Sequence, residues 1–331
     1  MKITCLCLTA SLAAFFAASV PIPARAADAP KKNFVSINPA EVDADYAFQG
    51  EYSGTLDAKK IGLQVIAQGG GKFRAVVIPG GLPGDGGEKG KREEADGELK
   101  DGAATFSGPE KKIAVKDGTA TVTSADGKAL GELKHLVRKS PTLGMAPPAG
   151  AVVLFDGKSA DAFQGGRLSP EGYLMEGCTS KQKFMSQTLH VEFMLPYMPF
   201  ARGQGRGNSG VYLQGRYETQ VLDSFGLLGK DNETGGIYSI KAPDENLCFP
   251  PLTWQTYDTE FTAAEYDATG KKTKNPRMTV RLNGVVVQQD VELPKTTTAA
   301  PVKEGPEPGP LYLQNHGNPV RFRNIWVVEK K

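Results

Sequence analysis

Hydrophobic and polar residues alternate over short stretches along most of the chain after residue 46, and glycine, proline, asparagine or aspartate separates these stretches. Alternation of this kind predicts strands with one buried face, because successive side chains of a strand point to opposite sides. No competing pattern with the period of an amphipathic helix accompanies it. The sequence therefore predicts an all-β protein.

Residues 46–139 are predicted to form a small antiparallel β domain, because Asp-Gly turn signals such as Asp101-Gly102 and Asp117-Gly118 join its short strands. The glycine-rich, charged insert Leu82–Gly97 is predicted to be a mobile loop. Sugar binding and mere support are both open roles for this domain. Support is favoured, since no cluster of exposed aromatic residues stands out.

A proline-rich and glycine-rich linker is predicted at residues 140–150, and a second β domain at residues 151–331. The number of short alternating strands in this second domain favours a two-sheet sandwich or jelly roll. Asn283-Gly284 predicts a tight hairpin between two of its strands.

The N-terminus carries Lys2, an apolar run and Ala24-Arg25-Ala26, a pattern typical of a secretory signal peptide over residues 1–26. An uncleaved membrane anchor is the alternative. Cleavage predicts an exported protein, periplasmic or secreted, with no later segment apolar enough to span a membrane. Residues 27–45 are polar and are expected to be a flexible tether.

The charge of the chain argues against nucleic acid as a partner. The whole sequence has 39 basic and 37 acidic residues. Removing residues 1–26 removes Lys2 and Arg25, so the remainder is formally neutral and has no general attraction for polyanions. Cys178 and Cys248 either pair or are buried separately, and no cysteine or histidine spacing matches a zinc site.

The stretch 207–226, GNSGVYLQGRYETQVLDSFG, predicts two neighbouring strands with a shared polar surface. Glu218 and Gln220 point to one side of their strand, opposite its apolar residues. Asn208 and Ser209 precede these strands between two glycines and can hydrogen-bond to sugar hydroxyls or form a turn. Such a surface suits a polar ligand such as a carbohydrate.

Motifs throughout residues 151–331 resemble those of the 3-keto-disaccharide hydrolase domain family, also described as 3-keto-glucoside 1,2-lyases. They are LFDGKS at 154–159, KQKF at 181–184, LHVEFML at 189–195, GNSGVYLQ at 207–214, YETQVLDS at 217–224, TGGIYSI at 234–240, PPLTWQTYD at 250–258, RLNG at 281–284 and LQNHGNPVRFRNIWV at 313–327. The resemblance implies a concanavalin A-like jelly-roll sandwich and an exported enzyme that acts on 3-keto sugars.

A 3-keto group acidifies the hydrogen on C2, so a base can remove it and expel the C1 oxygen. This chemistry needs a base, an acid and donors or a cation for the enolate. Glu218 is the candidate base, with Asp223 or Glu192 as its proton-transfer partner and His316 as a further catalytic candidate. A structural ion pair of Glu218 and a turn-capping role of Asp223 are the alternatives.

The substrate-binding candidates are Asn208, Ser209, Gln220, His190, Tyr238, Trp254 and Arg323. His190 and Glu192 are expected to point the same way as Glu218, and Tyr238 and Trp254 are candidates to stack on a sugar ring. Arg321 or Arg323 is a candidate to hold a carbonyl or to neutralise a carboxylate. A divalent metal held by Glu, Asp and His is a possible cofactor, although no spacing demands it.

Two other functions compete with cleavage of 3-keto sugars. An ordinary glycosidase uses two carboxylates across the bond, but Gln220 stands where laminarinase-type strands carry the second acid. A non-catalytic carbohydrate-binding module is the alternative from a different class, since fold alone does not dictate function.

Overall fold

The structure is a computed structural model that describes residues 33–330. The predicted signal peptide, residues 1–26, lies outside the described residues. None of the helices within residues 33–330 is long and apolar enough to cross a membrane. The described helices are three short 3₁₀ turns, Pro39–Glu41, Ala44–Ala47 and Gly203–Gly205.

The first eight strands form a closed antiparallel barrel in which each strand pairs with its neighbours in sequence and the last pairs with the first. They are β1 (Gly50–Leu56), β2 (Lys59–Gly69), β3 (Lys72–Pro79), β4 (Glu93–Lys100), β5 (Ala103–Ser107), β6 (Lys111–Lys116), β7 (Thr119–Ser124) and β8 (Ala129–Leu136). Closure leaves no exposed sheet edge.

Turn chemistry explains the tight connections of the barrel. Asp101-Gly102 and Asp117-Gly118 both have positive φ at the two central residues, which matches the strand twist in two-residue hairpins. The prediction of a mobile loop over Leu82–Gly97 is wrong for its end, because β4 begins at Glu93 and pairs with β3 there.

The rest of the chain forms an antiparallel two-sheet sandwich, as predicted. Its strands are β9 (Val152–Phe155), β10 (Phe163–Gln164), β11 (Leu174–Met175), β12 (Cys178–Phe184), β13 (Gln187–Met194), β14 (Ser209–Leu213), β15 (Tyr217–Val221), β16 (Trp254–Thr262), β17 (Glu265–Tyr266), β18 (Lys272–Lys274), β19 (Arg277–Leu282), β20 (Val285–Glu292), β21 (Gly309–Leu313) and β22 (Arg321–Glu329).

One sheet has five strands in the order β10-β12-β21-β14-β15, and the other has seven, β11-β22-β13-β16-β19-β20 with β9 beside β22. The small β17-β18 ribbon lies apart from both. The core between the sheets is built from the apolar residues of each alternation, such as Val211 and Leu213 from one sheet and Leu189 and Val191 from the other. The polar residues of the same strands therefore face outward, away from this core.

Cys178 and Cys248 are free and buried, so the second of the two expectations for them holds. Burial raises the pKa of both thiols to about 12. Asn283-Gly284 forms the predicted hairpin, with Leu282 paired to Val285.

Residues 33–45 do not form the flexible tether that their polarity predicts. Ser36 exchanges two backbone hydrogen bonds with Tyr197 of the sandwich, at 3.0 and 2.8 Å. The Tyr197 hydroxyl donates to Asp43 at 2.8 Å, and Asp45 accepts from the backbone of Gly71 in the barrel. This segment is thus bonded to both β units.

The predicted linker, residues 140–150, lies on the outer face of the seven-stranded sheet. Ser140 and Thr142 bond to the Thr256 hydroxyl at 2.6 and 2.8 Å, and Gly144 donates its backbone N–H to Glu192. We call residues 140–146 the strap. Its contacts fix the path of the chain from the barrel to the sandwich.

The barrel packs directly on loops that flank the five-stranded sheet. Ile66, Val76 and Ile78 from β2 and β3 bury an apolar patch against Phe225. Arg92, just before β4, donates to the carbonyl oxygens of Gly226 and Leu227 at 2.5 and 2.9 Å. Polar and apolar contacts together hold the turn after β15 against the barrel.

Candidate active site on the five-stranded sheet

The candidate site is centred on the β14–β15 hairpin. Gln214 and Gly215 both have positive φ, which permits the tight turn that pairs Leu213 with Tyr217. Val211, Leu213 and Tyr217 face the core, so Tyr212, Glu218 and Gln220 share the outer face, as the alternation predicts.

Glu218 is a buried carboxyl with few donors around it. Only 2% of its surface is exposed, and this burial raises its pKa to about 7. The Tyr212 hydroxyl donates to Oε2 at 2.7 Å and opposes the shift by stabilising the carboxylate. Gln314 in turn donates from Nε2 to the Tyr212 oxygen at 3.2 Å. Glu218 can therefore hold or release a proton near neutral pH.

The Gln220 amide lies 2.8 Å from Oε1 of Glu218. With its NH₂ on that side, it donates to the carboxylate and to the Ser209 carbonyl oxygen at 3.1 Å. A protonated carboxyl can instead donate to the amide oxygen across the same contact. An amide at this position thus suits both charge states of Glu218, which a second carboxylate would not.

Amide side chains extend the cluster beyond Gln220. Asn208 donates from Nδ2 to the backbone oxygen and Oε1 of Gln204, at 2.8 and 3.1 Å. Gln204 lies on the half-exposed turn Gly203–Gly205 and donates to the Asn232 carbonyl at 2.8 Å. In this structure the N–H groups of Asn208 and Gln204 bond to protein acceptors, and Gln220 is the amide that contacts the Glu218 carboxyl.

His316 is exposed on a turn whose two ends reach the cluster. Gln314 contacts Tyr212, and Asn318 accepts from the backbone N–H of Asn208 at 2.8 Å. The Ser209 hydroxyl donates to the Gln314 carbonyl at 2.7 Å, so Ser209 fixes this turn and offers its hydroxyl proton to the backbone. His316 itself lies between these two anchored ends, in the exposed part of the turn.

Tyr238 borders the site through the edge of β15. Its backbone N–H donates to the Glu218 carbonyl at 3.1 Å, and the Gln220 N–H donates to Gly236 at 2.9 Å. Segment 235–238 therefore covers the free edge of β15. The half-buried Tyr238 ring is available as an aromatic wall.

Asp223 is engaged in an ion pair and does not contact Glu218. Its Oδ2 accepts from Nε of the buried Arg206 at 2.6 Å, and its Oδ1 faces the backbone N–H of Phe225 at 3.4 Å. The contact with Phe225 corresponds to the turn-capping role that the sequence gives as the alternative for Asp223. Arg206 also reaches the Ala67 carbonyl of the barrel at 3.3 Å.

Metal ligands are not assembled around this cluster. Over residues 33–330, no group of three or more His, Cys, Asp or Glu side chains is arranged to hold a metal ion. The chemistry that the cluster itself offers is proton transfer by Glu218 and hydrogen bonding by amides.

The sequence profile of one family matches residues 150–328, more than half of the chain, and is described as the 3-keto-alpha-glucoside-1,2-lyase-like domain. The chain belongs to this family. No curated protein matches the chain. The matched region includes every residue of the Glu218 cluster, whereas the barrel lies outside it.

Three solved structures from Parabacteroides distasonis, all described as provisionally assigned glycosyl hydrolases, are similar to this lyase-like domain. The first is 33% identical, covers 55% of this chain and 85% of its own, and has a TM-score of 0.50. The others are 18% and 19% identical, cover 55% and 54% of this chain and 94% and 99% of their own, and have TM-scores of 0.41 and 0.38. The family match and the 33% identical structure together identify this chain as a carbohydrate-active enzyme.

The expectation that His190 and Glu192 point the same way as Glu218 is wrong. Both face outward, but β13 belongs to the seven-stranded sheet, and Glu218 is on the five-stranded one. His190 Nδ1 contacts Asp258 Oδ1 at 2.6 Å, and Arg323 donates from Nε to Glu192 at 2.6 Å. These residues lie beneath the strap, on the opposite outer surface of the sandwich.

Trp254 and Arg323 belong to that opposite surface too. The Arg323 guanidinium lies 4.0 Å from the centre of the Trp254 ring, and Tyr173 packs edge-to-face on it at 4.9 Å. Arg321 instead pairs with the buried Glu176 at 3.2 Å. The structure thus brings together Glu218, Gln220, Asn208, Ser209, Tyr238 and the turn of His316, and separates His190, Glu192, Trp254 and Arg323 from them.

Sequence reasoning missed Tyr212, Gln204 and Gln314 as parts of the site. Tyr212 could have been found, since it alternates with the core residues Val211 and Leu213 and must share the face of Glu218. Gln204 and Gln314 arrive through turns whose path has no local sequence signal.

Proposed function

We propose that this chain cleaves the glycosidic bond of 3-keto-glucosides by base-assisted elimination followed by addition of water, with Glu218 as the base. The observation that carries the proposal is a buried carboxyl whose pKa is raised to about 7 beside amide and hydroxyl donors. A base of this kind is half ionised near neutral pH, where it can accept a proton and return it.

In the proposed reaction the Glu218 carboxylate removes the C2 proton of the sugar. The electrons of the C2–H bond form the enolate of the C3 ketone. The C1–O bond then breaks to form a C1–C2 double bond, and the leaving oxygen takes a proton. Water then adds its hydroxyl to C1 while C2 takes back the proton held by Glu218, and the remaining proton of the water replaces the one given to the leaving oxygen.

The Gln220 amide is proposed to donate to the enolate oxygen with the N–H that Glu218 releases when it takes up the proton, and Asn208 to do so by exchanging one of its bonds to Gln204. His316 is proposed to protonate the leaving oxygen, since its turn begins and ends at the cluster while its ring stays exposed. Asp223 is proposed to fix the adjacent turn, because Arg206 already binds its carboxylate.

Turnover of a 3-keto-glucoside by the purified mature chain tests the proposal, with sugar release followed by chromatography with and without added divalent metal. Glu218→Gln is expected to lower kcat by about 10²–10⁴-fold, the usual contribution of a general base. In the wild type, kcat/KM is expected to rise with pH through about 7, because the ionised form is the active one.

Glu260→Gln is the matched control, since Glu260 is a half-buried strand glutamate of the other sheet that pairs with Arg281. Full turnover by Glu218→Gln would remove the assignment of the base. Binding of the 3-keto-glucoside without release of sugar would favour the non-catalytic carbohydrate-binding alternative.

Export is proposed from the N-terminal sequence, with the periplasm or the medium as the destination. N-terminal sequencing of the protein recovered from cell fractions is expected to begin at Ala27. Recovery of intact residues 1–26 in the membrane fraction would instead support the uncleaved anchor.

A further inference from the structure

The outer surface of the seven-stranded sheet carries a cavity of about 490 Å³, beside the strap and remote from Glu218. Its lining includes Tyr173, Glu192 and Arg323, with Glu171 and Asp156 at the rim. Trp254 lies directly behind two of these residues, in contact with both. The volume falls in the range of small-molecule sites.

The Arg323 guanidinium is held rigidly while most of its donors stay unused. Nε donates to Glu192, and the plane stacks on Trp254 at 4.0 Å. Within the described chain Nη1 and Nη2 make no hydrogen bond, and about a third of the side chain is exposed (32%). An arginine whose fork is fixed in advance loses little entropy when it binds a ligand.

The Glu192 carboxylate below is saturated by its own partners. It accepts from Gly144, Asn324 and Arg323 at 2.5, 2.9 and 2.6 Å. Burial alone would raise its pKa, but the nearby His190 imidazole, 3.6 Å away, and the hydrogen bonds from Asn324, Arg323 and Gly144 lower it to about 2. The floor of the cavity is therefore a neutral ion pair that needs no further counter-charge.

The charges around the cavity select the class of ligand. The Glu171 carboxylate at the rim disfavours an anion, while Lys158 pairs with Asp156 at 2.9 Å and Arg323 with Glu192, so these two pairs add no net charge that would attract a cation. The same groups accept and donate hydrogen bonds, and Tyr173 adds an aromatic ring. A neutral polyhydroxylated ring satisfies all three.

We propose that this cavity is a second, non-catalytic binding site for a neutral saccharide, on the opposite face of the sandwich from Glu218. Arg323 donates to ring hydroxyls, the rim carboxylates accept from them, and Tyr173 packs on the apolar face of the sugar. The site does not depend on the reaction proposed for Glu218.

Tryptophan fluorescence tests the site selectively. The chain has two tryptophans, Trp254 and Trp326, and both lie on this face of the sandwich. Titration with cellobiose and maltose is expected to give a saturable change in emission that persists in Glu218→Gln. Tyr173→Ala and Glu171→Gln are each expected to weaken binding about tenfold, the size of one lost ring or charged contact.

Glu171→Gln changes only an exposed side chain, so the test survives if Tyr173→Ala fails to fold. The assignment to this cavity would be overturned if Tyr173→Ala and Glu171→Gln both left the saturable emission change as it is in the wild type. It would also be overturned if Glu218→Gln abolished that change. Absence of any saturable signal with the neutral sugars would overturn the site itself. Binding of glucuronic acid or glucosamine in preference to them would overturn the class of ligand.

Discussion

Two buried glutamates of this protein differ in pKa because of the number of donors that each one meets. Glu192 accepts from Arg323, Asn324 and a backbone N–H, and its pKa falls to about 2. Glu218 is as deeply buried, but its carboxylate meets only the Tyr212 hydroxyl and the Gln220 amide, and burial raises its pKa to about 7. Desolvation is the largest single effect on both groups, but the hydrogen bonds together outweigh it at Glu192 and not at Glu218. Only Glu218 is suited to exchange protons near neutral pH.

Tyr212→Phe is expected to raise the pKa of Glu218 further, because the lost hydroxyl stabilises the carboxylate in the wild type. The rising limb of kcat/KM should therefore move to higher pH. Tyr217→Phe is the control, since that hydroxyl contacts Glu304, away from the site. If the rising part of the kcat/KM profile of Tyr212→Phe stayed at the wild-type pH or moved to lower pH, this account would be contradicted.

Gly210 leaves the space that the Glu218 carboxyl occupies, because a Cβ at this position would collide with Oε1 and lie 2.9 Å from a Tyr212 ring carbon. Gly210→Ala is expected to displace the carboxyl and to lower kcat by about 10²-fold, as small misplacements of catalytic groups do. The free energy of unfolding should fall by about 1–3 kcal/mol from overpacking.

Kinetics and denaturant unfolding of Gly210→Ala and Gly205→Ala test this together. Gly205 has open space where its Cβ would be and should tolerate alanine. If Gly210→Ala turned over substrate at the wild-type rate, the position of the carboxyl would not matter for the reaction.

At the scale of elements, local signals predicted strands and turns well. Asp-Gly and Asn-Gly pairs marked hairpins because positive φ at two residues is a local requirement, and alternation separated core from outer residues. Alternation cannot tell which outer face a residue occupies, since a sandwich has two. The sheet assignment of β13 and β15 depends on long-range pairing, so His190 and Glu192 were placed on the wrong side.

The strap is held to the sheet by a network around His190. The imidazole contacts Asp258 at 2.6 Å, Asn324 at 3.2 Å and Glu192 at 3.6 Å and stacks on Trp326, and Arg323 and Asn324 both bond to Glu192. Burial lowers the pKa of His190, but its bonds to the two carboxylates outweigh burial and raise it. The two carboxylates also bind strap residues, through Thr142 and Gly144.

A histidine with a raised pKa stabilises the fold fully below its unfolded pKa of about 6.5, and the contribution is lost as pH rises through the folded value. We therefore expect the free energy of unfolding to decrease above pH ~6.5 and hydrogen exchange in Thr142–Met145 to increase. His190→Gln should abolish that component of the pH dependence. An identical dependence in His190→Gln would show that another group is responsible.

For the whole molecule, the barrel and the site are linked through the turn after β15. Arg92 bonds to Gly226 and Leu227, while Arg206 joins the Ala67 carbonyl to Asp223 at the start of this turn. Gln204 lies between Arg202 and Arg206, and Arg202 donates to the Gln68 carbonyl at 2.9 Å. Barrel contacts thus flank the amide side chains that approach Glu218.

If these contacts position the site, Arg92→Ala should lower kcat by about tenfold with little change in KM, because the turn loses its anchor while substrate contacts remain. Arg74→Ala is the matched control, since Arg74 shares the partner Glu94 with Arg92 but makes no contact with the sandwich among its hydrogen bonds and ion pairs. Hydrogen exchange over residues 223–227 reports whether the turn is released. If hydrogen exchange in this turn rose in Arg92→Ala while kcat stayed at the wild-type value, the barrel contacts would not contribute to catalysis. If Arg92→Ala and Arg74→Ala lowered kcat equally, the effect would come from the loss of their shared partner Glu94 and not from the turn.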